Sequence, residues 1–277
     1  MDRPLKIAAI ESCPIWADKN ANLKQIEHEF DKIAEGTDLV ILPEMWSTGF
    51  VIDKATATSL AERNTEETMR QLERLAHEHR FAIAGSQIAK TAGKLYNRAF
   101  LIEPSGETSY YDKQHLFRMG GETQTYSPGN SWGHIIRFRG WNLRLLICYD
   151  LRFPVWCRNI KSSPADLIIV VASWPKAREN AWSLLLKARA IENLCYVCGV
   201  NRNGIDPEGI DYGRGSTAVI DFKGNVIAKG SLEGDDNQTI CATLNAQELR
   251  NFRQKFPAWM DADDFCITTD LSSSECQ

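Results

Sequence analysis

Short apolar runs alternate along this chain with segments whose apolar residues return every three or four positions. The first run, Lys6–Ser12, reads as a strand, and Asn20–Ala34 reads as an amphipathic helix carrying Leu23, Ile26, Phe30 and Ile33 on one side. Leu39-Val40-Ile41-Leu42 is a short, largely β-branched run stopped by Pro43, the pattern of a strand covered on both faces. Thr65–His79 is helical, with Met69, Leu72 and Leu75–Ala76 on one face, and Phe81–Ile88 is the next strand. The rhythm then shortens. Asn97–Ile102, Thr108–Tyr111, His134–Phe138 and Asn142–Cys148 are strand-like, separated by turn signals such as Pro104-Ser105-Gly106 and Arg139-Gly140. Leu167–Ala172 is a buried strand, Asn180–Leu194 a helix and Tyr196–Asn201 a strand, while Ser216–Val226 carries a Lys223-Gly224-Asn225 hairpin turn. No repeat or linker interrupts the series. The expectation is one α/β domain over residues 1–277, helices covering mixed sheets, with a polar tail at about 271–277.

Composition narrows the partners. At 277 residues, 43% apolar and 25% charged, the chain is long enough to bury a core without disulfide or metal staples. The net charge of −4, with Lys and Arg scattered among Asp and Glu, does not fit a nucleic-acid binder, which needs a basic stripe. The apolar run Ile7–Ile10 is too short for a signal-peptide core, and no stretch approaches the roughly 20 apolar residues of a membrane span. A cytoplasmic protein is therefore expected, with its eight cysteines as reduced thiols and most of them inert in the core. Cys195 and Cys198 lack a second pair that would complete a zinc site and read as core packing.

Three short motifs carry chemistry. Leu42-Pro43-Glu44 sets a carboxylate just past a buried strand, where α/β sheets bind ligands; alone it could equally be a capping or surface Glu. In Tyr111-Asp112-Lys113-Gln114-His115-Leu116-Phe117, Lys113 is either a surface lysine or, in a dry cleft, a stabiliser of developing negative charge. His115 is the alternative general base, or a structural hydrogen bonder. In Leu145-Leu146-Ile147-Cys148-Tyr149-Asp150-Leu151-Arg152-Phe153-Pro154, an apolar strand ends in Cys and a helix starts near Pro154. A thiol at such a turn projects into the cleft, where nearby N–H groups can lower its pKa or bind an oxyanion; otherwise it is a buried strand-end Cys.

Taken together and in this order, these motifs resemble the nitrilase (carbon–nitrogen hydrolase) superfamily, with Gly121-Glu122 and Ser127-Pro128-Gly129 adding to the match from Lys6 to about Cys241. The resemblance implies a four-layer α-β-β-α sandwich and a Glu–Lys–Cys triad at Glu44, Lys113 and Cys148. It also implies a second glutamate at Glu122, the Tyr149 backbone N–H at the oxyanion, and no metal or organic cofactor. It further implies a homodimer joined through helices corresponding to Pro154–Ile160 and Asn180–Leu194, the latter carrying Trp182, Leu185 and Ile191. Within the superfamily, the Arg118–Glu122 loop, the cysteine motif and Ser173-Trp174-Pro175 look most like omega-amidases, whose substrates are 2-oxoglutaramate and 2-oxosuccinamate. Tyr149-Asp150 stands where true nitrilases tend to have Trp-Glu, which favours amides. A distal substrate carboxylate calls for an arginine, Arg118 or Arg152, the latter alternatively an ion-pair partner of Asp150. Phe117, Met119 and Trp174 are candidate apolar walls. Other readings are an N-carbamoyl amide hydrolase, a nitrilase, a thiol acyltransferase or protease using Cys148 with His115, and an interaction protein with a dead site.

Overall fold

In strand β1 (Leu5–Glu11), Leu5, Ile7 and Ala9 point one way and Ala8 and Ile10 the other, as alternation requires. The same sorting runs through β2 (Leu39–Ile41), β3 (Ala82–Thr91) and β4 (Lys94–Ile102). Leu39, Ile41, Ala82, Ala84, Ala99 and Leu101 join the central core, whereas Val40, Ile83, Phe100 and Ile102 pack with Ile26 and Phe30 of helix α1 (Lys19–Phe30) and with Met69, Leu72 and Ala76 of α3 (Glu67–His79). One face of this sheet therefore meets helices and the other meets a second sheet. The computed structural model describes residues 3–62, 66–132, 134–234 and 237–265, so Thr65 and the tail at 271–277 lie outside the described residues.

The remaining elements are α2 (Lys54–Leu60), β5 (Thr108–Asp112), α4 (Glu122–Thr125), β6 (Ile136–Phe138), β7 (Trp141–Ile147), α5 (Pro154–Cys157), β8 (Leu167–Ala172), α6 (Glu179–Asn193), β9 (Tyr196–Asn201), β10 (Ala218–Ile220), β11 (Val226–Lys229), β12 (Gln238–Leu244) and α7 (Ala246–Lys255). The sheets have the orders β12-β1-β2-β3-β4-β5 and β11-β10-β9-β8-β7-β6. Each holds a parallel trio, β1-β2-β3 and β7-β8-β9, flanked by antiparallel strands. Trp182, Leu186 and Ala190 of α6 and Leu249 of α7 close the outer face of the second sheet. The result is the four-layer α-β-β-α sandwich, and its mixed sheets leave the carboxyl ends of β2, β7 and β8 opening on one crevice.

Three expectations change. The helix placed at Pro154–Ile160 is a single turn ending at Cys157. Arg158 is extended, and its guanidinium reaches the Glu192 carbonyl while the Asn159 N–H donates to Asn193 Oδ1 at 2.7 Å, so contacts with α6 pull the chain out of helical form. Trp182 is buried in the core rather than on a joining face, whereas Leu184 and Ile191 are outward. Helices α2 and α7 and strand β12 were not read from the sequence; β12 is an edge strand defined by its seven-residue antiparallel register with β1. Among the described residues, no helix is long and apolar enough to cross a membrane.

Candidate active site

Strand β2 ends at Ile41, and Pro43 releases the chain so that Glu44 turns inward, followed by Met45 at φ 47°. A left-handed conformation at a non-glycine residue is strained and persists only where surroundings hold it. Here the Met45 N–H donates to Ser86 Oγ at 3.0 Å, Ser86 Oγ donates to Asn97 Oδ1 at 3.0 Å, and Asn97 Nδ2 donates to Glu44 Oε1 at 2.7 Å. A polar relay from β3 and β4 thus fixes the carboxylate. Ser86 and Asn97 occupy the strand positions in phase with Ala84 and Ala99, on the inner face, which is the sequence signal for both: polar residues where alternation demands apolar ones.

Lys113 follows β5. Its N–H donates to the Asn97 carbonyl at 2.9 Å, and its own carbonyl accepts from the Gly129 N–H at 2.8 Å. A Cβ at Gly129 would lie 2.3 Å from the Asp112 carbonyl oxygen, so only glycine fits against this segment. The ammonium, fully buried, donates to Glu44 Oε1 at 2.9 Å and to Glu122 at 2.9 and 3.0 Å. Glu122, the first residue of α4, also accepts from the Phe117 N–H at 2.6 Å and from Asn97 Nδ2 at 3.3 Å. Burial works against the Lys113 charge, but the carboxylates of Glu122 and Glu44 outweigh it and hold its pKa well above that of an ordinary lysine. Burial likewise pushes the Glu122 pKa up, with Lys113 pulling it back.

Cys148 sits where β7 breaks into a 3₁₀ turn, Cys148–Arg152, at φ 44°. Asp150 over-determines this corner. Its buried carboxylate accepts from the Ile147 N–H at 3.1 Å, the His115 N–H at 3.0 Å and the Tyr111 hydroxyl at 2.8 Å, and it pairs with His115 Nδ1 at 2.8 Å. His115, stacked on Phe153 at 3.7 Å, is thereby a structural residue and does not line the cavity. Arg189 of α6 secures the turn from outside by donating to the Leu151 carbonyl at 2.7 Å. The Cys148 sulfur lies 3.9 Å from the Ser173 carbonyl oxygen, and the Ser173 N–H donates to Glu44 Oε2 at 2.8 Å. Ser173 begins the loop after β8 and ties the Cys148 thiol to the Glu44 carboxylate. The thiol pKa differs from the sequence expectation: burial, reinforced by the Glu44 charge, raises it well above the usual value despite the opposing pull of Lys113.

Glu44, Lys113, Cys148 and Glu122 are therefore one buried cluster at the floor of a cavity of about 610 Å³. Phe117, Met119, Tyr149, Arg152 and Trp174 line the cavity, as anticipated; Arg118 is exposed and does not. The 3₁₀ turn at Arg118–Gly120 carries the Arg118 side chain outward. Arg178 lines it instead, its guanidinium 5.2 Å from the Phe117 ring, while Arg152 lies 4.8 Å over the Trp174 ring and does not pair with Asp150. Trp174 Nε1 donates to the Arg178 carbonyl at 2.9 Å, so ring and arginine are positioned together. Arg178 carries no motif of its own and was not singled out in the sequence. Asp206, Glu208 and Tyr212 complete the rim, with Asp206 held by the Tyr212 hydroxyl at 2.9 Å. Cys157, Cys195 and Cys198 are buried away from the cavity with thiols pushed up to about 12, whereas Cys241 is exposed; Cys266 and Cys276 lie outside the described residues. Among the described residues, no group of three or more His, Cys, Asp or Glu is arranged to hold a metal.

The carbon–nitrogen hydrolase family model matches residues 6–254. The omega-amidase YafV of Escherichia coli (strain K12) is 42% identical over 261 residues, which cover 94% of this chain and 98% of that protein. The 2-oxoglutaramate amidase of Bacillus subtilis (strain 168) is 32% identical over 248 residues, covering 89% and 93%. Among solved structures, the CN-hydrolase superfamily protein XC1258 of Xanthomonas campestris, which has an arsenic adduct in its active site, is similar at a TM-score of 0.90 and 36% identity, covering 96% of this chain and 100% of that one.

A thiol with a raised pKa stays protonated through neutral pH, and only its thiolate is reactive. Alkylation of Cys148 by iodoacetamide, followed by peptide mapping, should therefore accelerate by about tenfold per pH unit from pH 7 to 9 without levelling. A plateau between pH 6 and 8 would show a preformed thiolate–lysine pair and contradict this reading.

Proposed function

The chain belongs to the carbon–nitrogen hydrolase family, and on that footing we propose that it is a cysteine-dependent omega-amidase. The observation carrying this reading is the buried cluster in which Glu44 holds Lys113 at 2.9 Å beside Cys148 on the cavity floor. Glu44 takes the Cys148 proton as the sulfur attacks the carbonyl carbon of a primary amide. The carbonyl electron pair moves onto oxygen, where the Lys113 ammonium and the Tyr149 N–H stabilise the oxyanion. Collapse expels nitrogen, which leaves as ammonia with the proton held by Glu44, and a thioester remains. Glu44 then takes a proton from water as hydroxide adds to the thioester; collapse expels sulfur, which takes the proton back from Glu44, and the carboxylic acid departs and loses its proton to solvent. Glu122 keeps Lys113 charged and aimed, so that Glu44 can change protonation state without releasing it.

Cys148→Ala is expected to abolish ammonia release while the protein stays folded, and Cys195→Ala to leave turnover largely intact. Glu44→Gln and Lys113→Ala should each lower turnover by about a hundredfold or more, the scale of losing a general base or an oxyanion donor. Steady-state kinetics on purified variants decides it; wild-type rates from Cys148→Ala would remove the proposed nucleophile.

The substrate is a short amide with a carboxylate at its far end, such as 2-oxoglutaramate or 2-oxosuccinamate. Lys113 is neutralised by its carboxylates, but Arg152 and Arg178 line the same cavity without an ion-pair partner among the described residues. Each is braced on an aromatic face and presents a fork suited to a carboxylate. Hydrolysis of 2-oxoglutaramate should outrun that of butyramide, and Arg152→Gln or Arg178→Gln should narrow the gap mainly through KM. Equal rates on both amides in the wild type would sink this substrate assignment and leave the triad standing.

The working assembly is a homodimer. Val155 of α5 and Leu184 and Ile191 of α6 are more than half exposed at 59%, 59% and 51%, large apolar side chains on the two elements that the family resemblance assigns to the joining face. Light scattering at micromolar concentration should give twice the 31.3 kDa chain mass, and a monomer mass would refute it.

A further inference from the structure

We propose that the Ser173 hydroxyl is a specificity-determining contact, accepting a hydrogen bond from the carboxamide nitrogen of the substrate; the assignment rests on the amidase reading above. Ser173 Oγ is buried, the residue is 7% exposed and lines the cavity, and the hydroxyl has no hydrogen-bond partner among the described residues. Such an orphan is unfavourable in a folded protein unless another molecule completes it. Its backbone lies against the reacting groups, the N–H on Glu44 Oε2 at 2.8 Å and the carbonyl 3.9 Å from Cys148 Sγ, a contact that leaves the carbonyl oxygen a lone pair to offer.

This geometry fixes where the leaving nitrogen goes. The carboxamide carbon has to reach Sγ, and its nitrogen has to reach the Glu44 carboxylate that protonates it. Glu44 Oε2 is held by the N–H of Ser173 itself, and Oγ is only three covalent bonds from that nitrogen. The nitrogen therefore departs past the Ser173 side chain. A primary carboxamide nitrogen is a double donor whose lone pair is delocalised into the carbonyl, so what it needs from the site is acceptors. The Ser173 carbonyl and hydroxyl oxygens supply two, one for each N–H. Two neighbouring acceptors are already committed: Glu44 Oε1 accepts from Lys113 and Asn97, and Asn201 Oδ1 accepts from the Trp174 N–H at 2.7 Å. An ester or a nitrile offers no N–H and leaves the hydroxyl unpaired, so the contact favours primary amides over both. Sites built to pair a polar substrate group reject analogues lacking it more strongly than apolar pockets discriminate by size.

The test compares wild type and Ser173→Ala on 2-oxoglutaramate and on the methyl ester of the same acyl chain. Amide hydrolysis is followed as ammonia release, and acylation by the ester as the covalent adduct mass on Cys148. Loss of one hydrogen bond should lower kcat/KM for the amide by about 5- to 20-fold. Acylation by the ester should change by less than about twofold, and the melting temperature should hold or rise because an unpaired buried hydroxyl is gone. Ser173→Thr, which keeps the hydroxyl, should recover part of the amide preference. Equal losses on both compounds would assign Ser173 a structural role and overturn the proposal, as would an unchanged amide rate. A wild type inactive on all amides would instead bring down the amidase reading, a distinguishable result.

Discussion

The Lys113 ammonium, enclosed between two carboxylates, is the interaction on which the rest of the site depends. Removing a cation from water costs several kcal/mol even after relaxation, and leaving it unpaired in the interior is worse. Glu44 alone could pair it, but in the proposed mechanism that carboxylate also collects and returns protons, which makes it an unreliable partner. Glu122 supplies both of its oxygens and is itself pinned by the Phe117 N–H at 2.6 Å. Beside the neutral thiol, the Glu44 carboxylate supplies a negative charge. Transfer of the Cys148 proton to Glu44 moves that charge onto sulfur without changing the total. Little solvent reorganisation is then needed at the moment of attack, which is how preorganised sites lower barriers.

The raised thiol pKa follows from the same cluster. Burial and the adjacent Glu44 carboxylate disfavour a thiolate, and the single ammonium is already shared between two acids. The site therefore differs from thiol enzymes that store a reactive ion pair. It holds a thiol beside a carboxylate, and in the proposed mechanism deprotonation is coupled to bond formation, when charge passes onward to the substrate oxygen. A neutral thiol only 9% exposed is also less open to adventitious oxidation than the thiol of the exposed Cys241.

Much of this was legible in the chain. Alternation and helical periodicity found the parallel trios and α1, α3 and α6 because those elements are buried on faces that force an apolar pattern. Strand β12 escaped because it is an edge strand held by long-range pairing with β1, and α7 because most of its residues are polar. The failed length of the Pro154 helix has the same origin: Arg158 and Asn159 bond to α6, a contact distant in sequence. In the site, Glu44, Lys113 and Cys148 were marked by motifs at strand ends, and Glu122 by the family resemblance alone. Arg118 was a candidate, beside Arg152, because it lies five residues after Lys113, but proximity along a chain says nothing about which way a 3₁₀ turn carries a side chain, and Arg178 had no signal to be weighed on. Asn97 did leave a trace, as an amide in phase with Ala99 and Leu101 on the inner face of β4.

On the proposed function, specificity and catalysis meet in the loop after β8. Ser173 bonds the base through its N–H and approaches the nucleophile through its carbonyl, while Trp174 supports Arg152 by its ring and Arg178 by its indole N–H. The Trp174 N–H and carbonyl are both fixed on the Asn201 amide of β9, at 2.7 and 2.9 Å. A single buried asparagine on the neighbouring strand thus sets the loop that spans the distance from reacting sulfur to the cavity's free cations. On the proposed substrate reading, that anchored loop sets which acyl chains fit. An acyl chain too short leaves its carboxylate away from the guanidinium groups, and one too long pushes its amide off Cys148. Length selection then needs no separate gate, because misfit at either end withdraws the carbonyl carbon from the only place where Glu44, Lys113 and the thiol act on it together.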